Sequence, residues 1–493
     1  MKAAASLLLR IASLAMPVSL IAIAATLAQA QTPAGSPLAR PAPAPAPAPV
    51  QVKELPAPVM DPLRINRAAD PILRLSRSST SSADFVGLVQ QAVERHPGVE
   101  EAAAGIAEAE AAQEEARSGR YPTIDFNLSS QRSLARDFNQ DDPDNIVERA
   151  RAPGRSDFTV SAQQTIFDWG ATESRVTAAG ARLRAAAFQA EASADQVALR
   201  AIAAWYDVFA YRALVGLGEA FAENQQELRS AIQTRISQGV SAPGDLPRVE
   251  SYIASAEADL SRYRRQMANA EARFEEFFGV PAPADLGRAP IIEQPSTTKE
   301  AAQFLARSIP NVEAAEASAR ASRQEALAER RSTLPTIGAG IDAGKYGLVN
   351  QRDYDIRARF TVRYRLLGPG NARAQQADAR ATAADARSAR IRNEAEREAA
   401  IAWTDVRALE QQLAALENSY IASRQSRDVL AERFRVARGT LFDLLESESG
   451  YFNVAATYIR AITELDASRY VLMSRTGRLL DALNIEPPAL ERQ

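Results

Sequence analysis

Between Asp353 and Leu366 apolar and polar side chains alternate without a break. Tyr354, Ile356, Ala358, Phe360, Val362, Tyr364 and Leu366 hold the even positions. Asp355, Arg357, Arg359, Thr361, Arg363 and Arg365 hold the odd ones. A period of two over this length predicts a β-strand with one apolar and one polar face. The alternation recurs more briefly where Ile124, Phe126 and Leu128 interleave with Asp125, Asn127 and Ser129. Phe158, Val160, Ala162 and Ile166 interleave with Asp157, Thr159, Ser161 and Gln163, and Ile337, Ala339, Ile341 and Ala343 mark a weaker, Gly-rich strand. Four strands of about ten residues match the span of a tilted membrane strand. An apolar outside and a polar inside suit a membrane barrel. The same pattern also suits a soluble sheet with one wet face.

The remaining periodicity is helical. Asp84 is placed to cap a helix running from about Phe85 to Gly119, which Pro122 ends. From Ala171 to Ser237 there is no proline, and a continuous helix there would be roughly 100 Å long. A turn from Gly239 to Asp245 and Pro247 leads into a return helix. This helix carries Val249, Ile253, Ala256, Leu260, Tyr263, Met267, Ala270, Phe274 and Phe277 at alternating steps of four and three. Tyr451, Val454, Tyr458, Ala461, Leu465 and Leu472 keep the same register further on. A sustained repeat of about 3.5 residues predicts left-handed coiled packing, although the core of a soluble helical bundle carries the same signature.

These elements occur twice. His96-Pro97-Gly98-Val99-Glu100 answers Ile309-Pro310-Asn311-Val312-Glu313, and Tyr121-Pro122-Thr123-Ile124 answers Leu334-Pro335-Thr336-Ile337. Ala204-Trp205-Tyr206-Asp207-Val208 answers Ala402-Trp403-Thr404-Asp405-Val406. The chain therefore reads as a tandem duplication of helix, strand, loop, strand and two long helices.

Composition narrows the class. The 493 residues include no cysteine and one histidine, His96, and the net charge is −3. That removes disulfides, thiolate metal sites and a cysteine-linked lipid anchor, and it gives no basic stripe for nucleic acid. No Gly-rich phosphate loop or compact catalytic domain is visible, so neither an enzyme nor a cofactor or metal is expected. Lys2 and Arg10, the apolar run from Ile11 to Leu27 and the small-x-small site Ala28-Gln29-Ala30 read as a secretory signal cleaved before Gln31, with an uncleaved membrane anchor as the alternative. The expected division is a signal peptide over 1–30, a disordered Pro/Ala-rich leader over 31–83, a first repeat over 84–290, and a second repeat with a C-terminal tail over 291–493.

Four strands cannot close a barrel with a lumen, and their unpaired edges cannot be left in lipid. If the strands cross a membrane, several chains must share one barrel, and three would supply twelve strands. Arg357, Arg359, Arg363 and Arg365 would then point into its lumen, with Asp125, Asp157 and Asp355 as candidate partners. His96 is expected on a helix surface, because Ile309 takes its place in the second copy.

The order of elements, the junctions Tyr121-Pro122 and Leu334-Pro335, the segment Phe167-Asp168-Trp169-Gly170, and the paired turns Gly239…Asp245-Leu246 and Arg438-Gly439-Thr440…Asp443-Leu444-Leu445 carry a likeness. On them, the chain resembles the TolC family of trimeric outer-membrane channel-tunnels, from roughly Asp84 to Leu483. The resemblance implies a mainly α fold with a small membrane β-barrel part, four strands per protomer and long coiled-coil hairpins. It implies a homotrimer in the outer membrane that reaches into the periplasm. Its partners would be a periplasmic adaptor and an inner-membrane ABC exporter or proton-driven pump. It further implies that Asp443 and Glu446, one helical turn apart, form carboxylate rings at the narrowest point. The tips at Gly239, Asp245, Arg438 and Gly439 would meet the adaptor. Family members place a basic latch residue where Gly439 stands here, with Arg438 beside it and Asp245 as a candidate partner. Trp169 would anchor at the membrane boundary, and Gly170 would let the chain turn.

Two function classes follow. One is a passive exit duct for small-molecule efflux or type I protein secretion, with the missing lipidation cysteine tilting towards secretion. The other is a periplasmic coiled-coil structural or adhesion protein without a pore.

Overall fold

The computed structural model describes residues 66–77, 79–135, 154–292, 298–348, 353–366 and 368–488. The chain divides into two units, Met1–Pro47 and Ala48–Gln493, and every described residue lies in the second. The expected signal peptide, most of the leader and the loop expected between the first two strands fall outside the described residues.

The second unit repeats its elements. A short helix α1 (Pro71–Leu75) precedes α2 (Ser82–Arg95), α3 (Pro97–Ser118), β1 (Thr123–Arg132), β2 (Gly154–Phe167), α4 (Ala171–Ser237) and α5 (Asp245–Phe278). Then follow α6 (Lys299–Leu305), a 3-10 turn (Ala306–Ser308), α7 (Pro310–Arg331), β3 (Thr336–Tyr346), β4 (Asp353–Arg363), α8 (Gly370–Arg435), α9 (Leu441–Arg475) and the short α10 (Leu479–Ala482). Corresponding helices match in length: 22 residues each for α3 and α7, 67 and 66 for α4 and α8, 34 and 35 for α5 and α9. At the α-helical rise, α4 and α8 are each about 100 Å long.

The first helix differs from the sequence expectation. It starts at Ser82 with Ser81 as its cap and breaks at His96, because Pro97 cannot continue a helix and instead starts α3 at its first position. His96 is the cap of that second helix. Its Nδ1 accepts a hydrogen bond from the Gly98 amide at 3.0 Å, and its ring stacks on Phe277 with centroids 5.5 Å apart. The histidine is thus a joint rather than a surface residue of a continuous helix.

The sheet has the order β1-β2-β3-β4, antiparallel throughout. Its register places Phe126, Val160, Ala343 and Ile356 in one row and Ile124, Ala162, Ile341 and Ala358 in the next. The alternating positions therefore merge into one apolar face. A bulge between Thr165 and Phe167 brings Phe167, not Ile166, opposite Ile337, so Ile166 leaves the ladder that simple alternation assigned it.

The main core lies where the four hairpin helices meet. Trp205 of α4 sits at its centre, 1% exposed, with Phe85 edge-on at 5.2 Å and its indole N–H donating to the Gly287 carbonyl at 3.0 Å. On α5 the buried stripe follows the heptad as far as Phe274, but Met267 is only half-buried and Phe278 replaces Phe277 as the final buried residue. On α9 the stripe is wider than one heptad seam, because Tyr451, Phe452, Ala455, Ala456, Tyr458 and Ile459 are all buried. That breadth fits a helix packed between α8 and α4, both of which it contacts.

The stretch before Asp84, expected to be a disordered leader, contributes to this core. Ile72 and Leu73 are each 1% exposed, and burying each side chain favours the fold by roughly 1.5–3 kcal/mol. Asp70 caps α1, accepting from the amides of Ile72 and Leu73 at 2.9 Å. The same carboxylate accepts from the Tyr420 hydroxyl at 2.9 Å and pairs with Arg424, both on α8. The folded part thus begins before Asp84, and one buried carboxylate explains why.

Candidate functional site

The two hairpin tips are built differently. In the first, Gly239 adopts φ 72°, a left-handed backbone that follows the end of α4. The chain then re-enters α5 at Asp245. In the second, Ala437 takes the left-handed backbone at φ 58°. Gly439 is required for room, since a Cβ there would lie 3.1 Å from the Phe434 nitrogen and 3.2 Å from the Arg433 Cβ. Thr440 then caps α9, its hydroxyl accepting from the Asp443 amide at 3.1 Å. A threonine three residues before an acid is a helix-start signature, and the Asp443 charge suits the helix dipole there.

The tips pack on one another through Ile232, Val249, Ile253, Phe434, Leu441, Leu444 and Leu445. Arg235 donates to the Phe434 carbonyl at 3.1 Å and lies over the Phe434 ring at 4.5 Å. With these apolar residues turned inwards, Asp443 and Glu446 are left exposed, three residues apart on one face of α9. Arg438 is exposed, Gly439 and Asp245 are half-buried, and no ion pair joins Asp245 to Arg438 within the protomer.

Sequence reasoning missed Glu448. It continues the apolar row Leu441, Leu445, Phe452 and Ala455 at helical spacing and is buried. Burial raises its carboxyl above the usual range; Arg427 nearby opposes this and Asp428 adds to it. Its Oε2 accepts no hydrogen bond. A charged residue on an otherwise apolar row was the signal that marked it.

On the polar face of the sheet, Arg357 pairs with Asp355, and Arg359 meets Asp342 at 3.2 Å. Asp355 was among the expected partners; Asp342 was not, because its strand reads weakly. Asp157 pairs with Arg155 at 2.6 Å instead. Arg363 lies opposite Thr336 on the same face, whereas Arg365 lies beyond the end of β4 and is not part of the strand. The opposite face carries Phe126 and Phe360, each 71% exposed, and Tyr354 at 78%. Large apolar side chains so exposed across a whole sheet need a further apolar environment.

At the base of the sheet, Trp169 takes a left-handed backbone at φ 58° before Gly170 at φ 79°. Its indole N–H donates to the Pro335 carbonyl at 2.8 Å, and Arg331 donates to the Gly170 carbonyl at 3.0 Å. The residues read as a membrane anchor and a turn thus also fasten the two repeats together. Among the described residues no helix is long and apolar enough to cross a membrane, and no cluster of side chains could hold a metal ion.

The family model described as outer membrane efflux protein matches residues 88–280. The outer membrane efflux protein BepC of Brucella suis biovar 1 (strain 1330) is 22% identical over 348 residues, covering 68% of this chain and 75% of BepC. Among solved structures, the outer-membrane channel OprN is 19% identical with a TM-score of 0.70, covering 84% of this chain and 96% of OprN. The outer membrane protein VceC of Vibrio cholerae is 18% identical with a TM-score of 0.70, covering 80% and 96%. The fold of those channels is the fold described above.

Proposed function

We propose that this chain, which belongs to the outer membrane efflux protein family of TolC-like channels, is the outer-membrane channel of a tripartite export system. The observation that carries this reading is the sheet: four strands, one face mainly apolar with Gln164 and Lys345 among its polar interruptions, the other carrying arginine and aspartate, and β1 and β4 as edges unpaired among the described residues. Such a sheet satisfies its edges in lipid only by closing with others. Three copies would join β4 of one to β1 of the next in a twelve-stranded barrel, apolar side to lipid and polar side to water. Helices α4 and α8 would extend the duct into the periplasm.

Cargo would pass without chemistry, driven by an inner-membrane pump and handed over by a periplasmic adaptor at the exposed tips around Gly239 and Arg438. Small-molecule efflux is favoured over protein secretion, because the family description and BepC both name efflux. The missing lipidation cysteine, which tilted the sequence reading towards secretion, says only how the chain is not anchored. Asp443 and Glu446, exposed at the tip of α9, would meet their symmetry mates as carboxylate rings that favour cations and narrow the duct.

Planar bilayers test this. The purified protein should conduct ions, and Asp443→Ala with Glu446→Ala should raise the current and weaken block by multivalent cations. No conductance would favour the pore-free structural reading. Conductance with unchanged current, selectivity and block in the variant would place the constriction elsewhere.

A further inference from the structure

Helices α3, α4, α7 and α8 contact one another in that order, with α3 at one end of the row. The first half of α8 stands at the other end. It is tied to α7 by Arg330–Asp378, Arg323–Asp385 and Arg392–Glu316. These end helices continue directly into the open edges of the sheet, since α3 leads into β1 and α8 follows β4.

The end helices carry opposite stripes. On α3, Glu101, Glu108 and Glu115 recur every seven residues, and all three are exposed. Val99 and Ile106 are the buried residues of this helix. Glu108 lies about 200° round from Ile106, so the stripe points away from the protomer. On α8, Arg373, Arg380 and Arg387 also recur every seven residues and are exposed, off the row of Ala374, Ala377 and Ala381 that is buried. None of the six makes an ion pair with another described residue, although most arginines around them do. The exposed alanines Ala104 and Ala111 on α3, and Ala379 and Ala386 on α8, leave room for close approach.

The stripes also match in height. Glu115 lies three residues before the end of α3 at Ser118, and Arg373 lies three residues after the start of α8 at Gly370. The chain runs towards the sheet in α3 and away from it in α8, so neighbouring copies would pair them antiparallel. Glu115 then meets Arg373, Glu108 meets Arg380 and Glu101 meets Arg387, with equal residue counts from the sheet-side ends of the two helices at every rung.

We propose that these residues form an intersubunit ladder, in which the acidic edge of one protomer docks on the basic edge of a second copy and sets the register of the assembly. The proposal rests on the three-chain reading above and adds the residues that fix how the chains align. Exposed ion pairs contribute little strength each; their part is to penalise slipped pairings, since a slip of less than a heptad sets the stripes against uncharged turns and a slip of a whole heptad loses one rung of the three.

The chain has no cysteine, so crosslinking is clean. The double variant Glu108→Cys with Arg380→Cys, assembled in membranes and treated with a mild oxidant, should run as closed covalent trimers on a non-reducing denaturing gel. Glu101→Cys with Arg373→Cys, offset by about 21 Å along the helices, should not. Native mass in mild detergent is measured on the same samples. A trimer that crosslinks equally in both variants, or in neither, overturns the ladder. A monomer overturns the three-chain reading itself. Charge exchange gives a second arm that needs no new bond. Arg380→Glu should lower the temperature at which the trimer dissociates, and adding Glu108→Arg should restore it. Failure of the exchange to restore an impaired trimer also overturns the ladder.

Discussion

Arg288 grips Asp466 with two hydrogen bonds, from Nε to Oδ2 at 2.5 Å and from Nη2 to Oδ1 at 2.7 Å, and both side chains are buried. Arg288 follows the first hairpin and Asp466 lies on α9 of the second, so this pair joins the two repeats. The guanidinium also donates to the Ser76 carbonyl, which brings the segment after α1 into the same joint. Removing one partner strands the other charge in the core. Asp466→Ala should therefore destabilise the protein by about 3–5 kcal/mol, read as a lowered thermal midpoint by circular dichroism. Arg288→Met with Asp466→Leu should recover much of that loss. A single variant that melts like the wild type would show that the pair contributes nothing.

Asp70 should behave as a clamp on the N-terminal segment. Its carboxylate is 2% exposed and holds Tyr420 and Arg424. Asp70→Ala leaves buried Arg424 with only the more distant Asp428, at 3.9 Å, so α1 should detach more often. Limited trypsin digestion should then cut at Arg74 and Arg77 at least tenfold faster, a ratio that corresponds to about 1.4 kcal/mol of lost docking. Equal cutting rates would mean that Ile72 and Leu73 hold the segment without it.

Glu448 gives a pH dependence of definite sign. Burial is the largest cause of its raised carboxyl, Arg427 opposes and Asp428 reinforces. A carboxyl that holds its proton more tightly when folded than when unfolded makes the fold lose stability as pH rises. The loss begins at the ordinary value, 4.5, and is complete above the raised folded value. Glu448→Gln removes the ionisation, so above that window it should be more stable than the wild type by about 1–3 kcal/mol. The two should converge near pH 4. Denaturant titrations at pH 4 and pH 8 measure this, and a variant less stable at pH 8 would show that the Arg427 attraction outweighs the burial.

The facing of the strands is testable through the absent cysteines. Arg359→Cys should react with a water-soluble, membrane-impermeant thiol reagent, and Phe360→Cys should not, because their side chains lie on opposite faces of β4. The reverse pattern would turn the sheet inside out.

The parts legible in the sequence were those with a local period. The strand pattern around Phe360 and the unbroken helix from Ala171 to Ser237 both stand in the structure, the helix at its expected ends. What stayed hidden depends on contacts distant in the chain. Asp70 looks like part of a low-complexity leader until Tyr420 and Arg424, some 350 residues away, meet it. The break at His96 was written in Pro97, but the strength of the flanking helices masked it. Ile166 left its row because a single bulge shifts every later residue to the other face. At the tip, the exposure of Asp443 and Glu446 followed from the neighbouring leucines, while Glu448, two residues on, turned out to be buried.

The closure of the barrel by three chains is open to direct view. Electron cryomicroscopy of the protein in mild detergent should show three copies around one axis. Their sheets should join edge to edge, β4 of one against β1 of the next, into a single twelve-stranded barrel, with α3 of one copy beside α8 of its neighbour. A monomer with a free four-stranded sheet, or an assembly in which β1 and β4 remain unpaired, would contradict it.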